Sequence, residues 1–109
     1  MAELSLSDRI LSHLCEHYPL SVDKVTTMLP TFIRVLRQHM ENMKKALETG
    51  DPVTVGKIGH TLKGALLNLG LAELAAIAEN IETEGKAANH LIDYADLVEQ
   101  LQEGLKEIV

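Results

Sequence analysis

Apolar side chains recur every three to four residues along almost the whole chain. Nowhere do they alternate with polar ones as a half-buried strand requires. That spacing restricts the fold to packed helices. Pro19, the run Gly50-Asp51-Pro52, Gly70 and Gly85 punctuate the pattern and divide one helix from the next. The spacing predicts a first helix over about 7–18, capped by Ser7, with Leu6, Ile10 and Leu14 on one face. A second runs over 21–49 from Ser21, with Phe32, Ile33, Leu36, Met40, Met43 and Leu47 as its stripe. Pro30 either kinks it or starts its main segment. Asp51 and Pro52 suit the cap and first position of a third helix over 52–69, which Gly70 stops. A fourth over 71–84 carries Leu71, Leu74, Ala78 and Ile81 and ends at Gly85. A fifth over 89–108, capped by Asn89, carries Leu91, Tyr94, Val98, Leu101, Leu105 and Ile108. The expected architecture is all-α: an antiparallel four-helix bundle with a short additional N-terminal helix across one end. With 109 residues, one domain is expected.

Composition narrows the class of partner. Sixteen acids against ten bases leave a net charge of −6. Phosphate backbones call for a basic face, so nucleic acid is not an expected partner. Two tyrosines, one phenylalanine and no tryptophan also leave little for base stacking. A single cysteine, Cys15, excludes an internal disulfide and fits a reducing compartment. The opening MAELSLSDR has no basic start followed by an apolar run, so no secretory signal is expected. No apolar run reaches the roughly 18 residues a membrane span needs. A cytoplasmic protein, monomeric and without membrane contact, is the expectation.

The stretch GHTLKGALLNLG, Gly59 to Gly70, sets the functional question. Glycine inside a helix costs roughly 0.5–1 kcal/mol relative to alanine, and something should offset that. On a helical wheel Val55, Ile58, Leu62, Ala65, Leu66 and Leu69 share the side that must face the core. His60 lies roughly opposite, with Val53, Gly56, Lys63, Gly64 and Leu67 on its side. A side chain at position 64 would stand beside the imidazole one turn on. Its absence opens a path for another protein to reach the ring, and Gly56 is expected to clear the other flank. Val53 and Leu67 leave apolar surface that a partner can cover. Lys63 sets an ammonium near any negative charge delivered to the histidine. Neutral imidazole is a nucleophile near pH 7, and phosphoryl transfer needs positioning and charge neutralisation above all. These residues fit a phosphoryl acceptor. Singly, each has an ordinary alternative: a surface histidine, a solvated lysine, a glycine at a helix contact.

The run His60 to Gly70, HTLKGALLNLG, resembles the signature of histidine-containing phosphotransfer domains, H-x-L-K-G followed after five residues by G. His60, Leu62, Lys63, Gly64, Asn68 and Gly70 carry the match. ALETGD (Ala46 to Asp51) looks like the family's turn before its active helix, and Phe32, Leu74 and the pair Ile81-Glu82 fall on family positions. The resemblance spans roughly residues 20 to 109. Ala65 and Leu66 stand where small polar residues are usual, and Leu71 where alanine is. Ala65 and Leu66 point to the core on the wheel, so altered packing rather than lost chemistry is expected. The resemblance implies that His60 is phosphorylated on Nε2, that Lys63 stabilises the phosphoryl group and that Gly64 gives access. It implies docking by receiver domains of response regulators or hybrid histidine kinases, with Val53, Gly56, Lys57, Leu67 and Asn68 as the expected contact surface. His60 lies ten residues before Gly70 and Glu82 twelve after, so a hairpin brings them level. Glu82 is then a candidate to accept a hydrogen bond from Nδ1–H of His60, or else a surface glutamate.

His13 and His17 share a helix face and can bind a metal from it, which leaves a metal-binding module as a lesser alternative; no nearby acid completes the pair, and no metal or cofactor is expected. No nucleotide-binding loop of the GxxxxGK[ST] type occurs, and one bundle leaves no room for a kinase's ATP-binding domain. A phosphocarrier without kinase activity of its own is the favoured function. The Met1 start favours a free-standing protein over a piece of a larger kinase. A helical adaptor that binds without phosphoryl transfer is the alternative.

Overall fold

The computed structural model describes residues 5–109; residues 1–4, where the stretch read for a secretory signal begins, lie outside the described residues. Five helices follow in order: α1 (Leu6–His17), α2 (Val22–Thr49), α3 (Pro52–Asn68), α4 (Ala72–Lys86) and α5 (Tyr94–Gly104). No strand occurs among the described residues. Helices α2, α3, α4 and α5 form the four-membered antiparallel bundle, each packing on the next and α5 closing back on α2. The spacing-derived stripes form one core: Leu36, Met40 and Met43 of α2, Leu62 and Leu66 of α3, Ala78 and Ile81 of α4, and Val98 and Leu101 of α5 are buried. Leu71, Leu105 and Ile108, just outside the helices, join them. Helix α1 packs on α2 and lies at the end where α3 turns into α4. There the His13 ring occupies the space a side chain at Gly70 would need, and Arg9 pairs with Glu73 at 2.5 Å.

Chain punctuation accounts for most boundaries. Ser21 and Asp51 accept hydrogen bonds from Lys24 N and Val53 N, and so cap α2 and α3. Gly50 and Gly70 take the left-handed conformation, φ 70° and 78°, that ends those helices. Pro30 starts no new segment: α2 runs through it. The cap of α1 is Ser5, not Ser7, and accepts from Asp8 N at 3.1 Å. Starting there brings Leu6 into the helix, stacked with Ile10 and Leu14 in the core.

The largest departure lies between α4 and α5. Helix α4 does not stop at Gly85 but continues to Lys86. Its end is a Schellman turn, in which Ala88 N donates to Gly85 O and Asn89 N to Glu84 O. The left-handed residue of that turn is Ala88, with φ 54°. Asn89 does not cap α5. Its carboxamide oxygen accepts from Leu91 N, its amide donates to Glu84, and Tyr94 Oη donates to its carbonyl. Asp93 caps α5 instead, accepting from Asp96 N at 3.0 Å. The predicted stripe therefore overreached at Leu91, which is 94% exposed on the connecting loop.

Candidate functional site

Helix α3 presents His60 to solvent, with 61% of its side chain exposed. Two features of the sequence put it there. The core-facing residues Val55, Leu62 and Leu66 fix the rotation of the helix. Glycines on the flank toward α4 then let the two helices approach closely. A Cβ on Gly56 would lie 2.8 Å from the backbone nitrogen of Lys86, and one on Gly59 would lie 2.9 Å from that of Glu82. Gly85 meets Gly56 from the other side, its would-be Cβ 2.6 Å from the Gly56 Cα. Gly56 is thus buried in the α3–α4 contact and clears no path to the histidine. That corrects its assignment to the docking surface.

The close approach brings a carboxylate under the imidazole. Oε2 of Glu82, on α4, lies 2.5 Å from His60 Nδ1. Lys63, one turn after His60, donates to Oε1 of the same carboxylate at 2.5 Å, and Lys86 donates to Oε2 at 2.8 Å. Glu82 is buried, with only 10% of its side chain exposed. Hydrogen bonds from Lys63 first, then Lys86, outweigh the cost of desolvating it, and His60 adds to them. The carboxyl is held down to about 2, well below the usual carboxylate range. Reciprocally, the hydrogen bond to Glu82 raises Lys63, against a smaller opposing effect of burial; the charges of Glu82 and Glu79 add to the rise. An ionised carboxylate can only accept. The proton between Glu82 and His60 therefore sits on Nδ1, so that in the neutral imidazole Nε2 is the nitrogen with the lone pair.

Gly64 behaves unlike the other glycines of α3. A Cβ there would meet nothing within 4 Å. Among the described residues, no contact requires glycine at that place. Lys57 and Asn68 are exposed near His60, Leu67 is about half exposed, and Val53 is half-buried. On the flank toward α2, Ala65 and Asn68 border an apolar cleft of about 300 Å³, closed by Leu14, Tyr18, Phe32 and Val35. Lys86 was missed by sequence reasoning, although the Glu82–Lys86 spacing of four is a pairing signal in a helix. Gly59 and Gly85 were missed as packing glycines; no periodicity distinguishes them from caps.

The other histidines stand apart from this site. The rings of His13 and His17 lie 4.4 Å apart on α1. Among the described residues, no group of three or more His, Cys, Asp or Glu side chains gathers to hold a metal. No helix there is long and apolar enough to cross a membrane.

No curated protein and no solved structure matches the chain. The family model of the Hpt domain matches residues 27–109, which include all of α3, α4 and α5 and most of α2. The helical bundle agrees with that family, whose members transfer phosphoryl groups in two-component signalling without being kinases. A match over more than half of the chain, centred on a bundle with one exposed histidine above a buried carboxylate, means that this protein belongs to the Hpt-domain family.

Proposed function

We propose that the protein is a phosphorelay intermediate: it accepts a phosphoryl group on His60 Nε2 from a receiver-domain aspartate or a histidine kinase and passes it to a response regulator. The observation that carries this reading is the hydrogen bond between His60 Nδ1 and Glu82. It assigns the proton of the neutral imidazole to Nδ1, so that Nε2 carries the lone pair, on a side chain that is 61% exposed. In transfer from an aspartyl phosphate, the Nε2 lone pair attacks phosphorus and an N–P bond forms. The P–O bond to the aspartyl carboxyl breaks, and its electron pair leaves with the carboxylate. No proton moves at Nε2. Both ring nitrogens are then substituted, so the ring gains positive charge, and Glu82 lies where it neutralises that charge. Lys63, one turn along α3, is the group to meet the incoming phosphoryl oxygens.

Gly64 supplies clearance. The docking surface comprises Val53, Lys57, Leu67 and Asn68, with the apolar cleft beside Asn68 extending it toward α1. The carrier resides in the cytoplasm as a monomer and meets one receiver at a time, since a single acceptor nitrogen serves both donor and recipient. It makes no phosphohistidine from ATP on its own.

The test is transfer from a receiver domain carrying labelled phosphate, with His60→Gln in parallel. Label that is acid-labile and base-stable on the wild type, and absent from His60→Gln with the helical spectrum intact, is the expected result. Equal labelling of both proteins would remove His60 from the mechanism. No labelling of either across several receivers would favour an adaptor that binds without transfer.

A further inference from the structure

One carboxylate serves three donors at this site, and the acceptor role of His60 does not by itself explain why there are two lysines. They are not equivalent. Among the described residues Lys63 alone occupies Oε1, whereas Lys86 shares Oε2 with the imidazole. Lys63 stands on α3 beside the histidine; Lys86 stands on α4, four residues after Glu82, the favourable order for a helical pair. A phosphoryl group on Nε2 brings close to two further negative charges, and Lys63 must turn to meet them. Glu82 then loses the ammonium on Oε1. A largely buried carboxylate that gives up a cationic partner is costly. That cost would hold Lys63 in place unless another cation kept Glu82 neutralised.

We propose that Lys86 is a positioning residue of the transfer site: it holds the Glu82 carboxylate in place, so that Lys63 is free to leave Glu82 for the phosphoryl group on His60. This rests on the reading of His60 as acceptor. Charge counting supports the division of labour. With both lysines present, the phosphorylated site sets two ammonium groups and a cationic ring against a carboxylate and a doubly charged phosphoryl group, which balances. Without Lys86 one negative charge is left over, and Lys63 is contested by two anions. Lys86 touches neither phosphorus nor any transferred atom, and it acts through Glu82 alone.

Phosphoramidate, a small phosphoryl donor that needs no docking surface, tests this on the full chain. The variants are Lys86→Met, which keeps the apolar stem, and Lys86→Arg, which keeps the charge. Phosphohistidine formation is followed by phosphorus NMR, and the Lys63 ammonium by nitrogen-detected NMR before and after. The wild type is expected to show the Lys63 signal shifting on phosphorylation. Lys86→Met should lose most of that shift and react about tenfold more slowly, the size of one charge-assisted hydrogen bond. Lys86→Arg should recover both. Wild-type rate and shift in Lys86→Met, or no recovery in Lys86→Arg, would overturn the proposal and leave the acceptor reading intact. A wild type that forms no phosphohistidine at His60 would overturn both.

Discussion

The two flanks of α3 spend their glycines in opposite ways. Toward α4, Gly56 and Gly59 are buried, and any side chain there would collide with backbone of the neighbouring helix. Toward solvent, Gly64 faces open space. The first pair has an internal reason: close helix contact sets the height at which Glu82 meets His60. The third has none among the described residues, and helix propensity argues against it by roughly 0.5–1 kcal/mol. A residue that costs stability and gains nothing inside the fold points to something outside it. On the proposed function, the flank toward α4 builds the chemistry and the open flank admits the partner.

Substitution by alanine separates the two. Gly56→Ala forces a methyl to within 2.8 Å of the Lys86 nitrogen, and backbone cannot swing aside as a flexible side chain can. Such overpacking destabilises by about 1–3 kcal/mol, readable as a lowered midpoint in urea. Because it spreads α3 from α4, it should also lengthen the His60–Glu82 hydrogen bond, seen as an upfield shift of the Nδ1 proton. A Gly56→Ala protein as stable as the wild type would mean that the helices are not in close contact. Gly64→Ala should do the reverse. It stabilises the helix by roughly 0.5–1 kcal/mol, while transfer from a receiver domain falls on the order of a hundredfold through misplacement of the reacting atoms. Transfer from a small donor should change little. Loss of stability in Gly64→Ala would return that glycine to a packing role.

This contrast also marks how far the sequence was legible. The stripes of α2, α4 and α5 are carried by many apolar residues at once, so one exception such as Leu91 does not obscure them. The cap residues Ser21 and Asp51 declared themselves because the capping chemistry is local. Glycine is different, since it serves both as the residue that ends a helix and as the residue that lets another helix near. Gly85 reads as a stop because it follows an apolar stripe, yet it packs on Gly56, some thirty residues away in the chain. Only the partner helix decides between those roles. For the same reason His60, Lys63 and Gly64 were legible as a group from one wheel, whereas Gly56 lies on the same half of that wheel and faces α4. Asn89 and Asp93 are both able to cap, and the Tyr94 hydroxyl's bond to the Asn89 carbonyl goes with the later start.

Acid distinguishes the flanks in another way. The Glu82 carboxyl is lowered to about 2 in the folded protein from an ordinary value of 4.5. A depressed carboxyl stabilises the fold fully above about pH 4.5, and that contribution is lost as pH falls toward 2. Glu73, lowered mainly by a backbone hydrogen bond and also by its bond to Arg9, titrates in the same direction. The comparison is therefore between proteins: melting temperature should fall less between pH 5 and 3 in Glu82→Gln than in the wild type. Parallel curves would mean that Lys63 and Lys86 do not hold the carboxylate in solution.

The smallest effect concerns the glycine that α4 does not have where it ends. Helices α2 and α3 end on Gly50 and Gly70, both left-handed. Helix α4 ends on Ala88, whose methyl group strains the same conformation. Gly85, three residues earlier, is occupied with packing on Gly56 and supplies no turn. Ala88→Gly removes that strain, partly offset by the greater freedom of glycine in the unfolded chain. A net stabilisation of about 0.5 kcal/mol is expected, measured by urea unfolding with unchanged slope. Because position 88 lies outside the site, His60 phosphorylation should be unaltered. If the variant were instead less stable, the Schellman turn at the end of α4 would not form as described. Lys86, on the last turn of that helix, would then lose the rigid placement that lets it share an oxygen with His60.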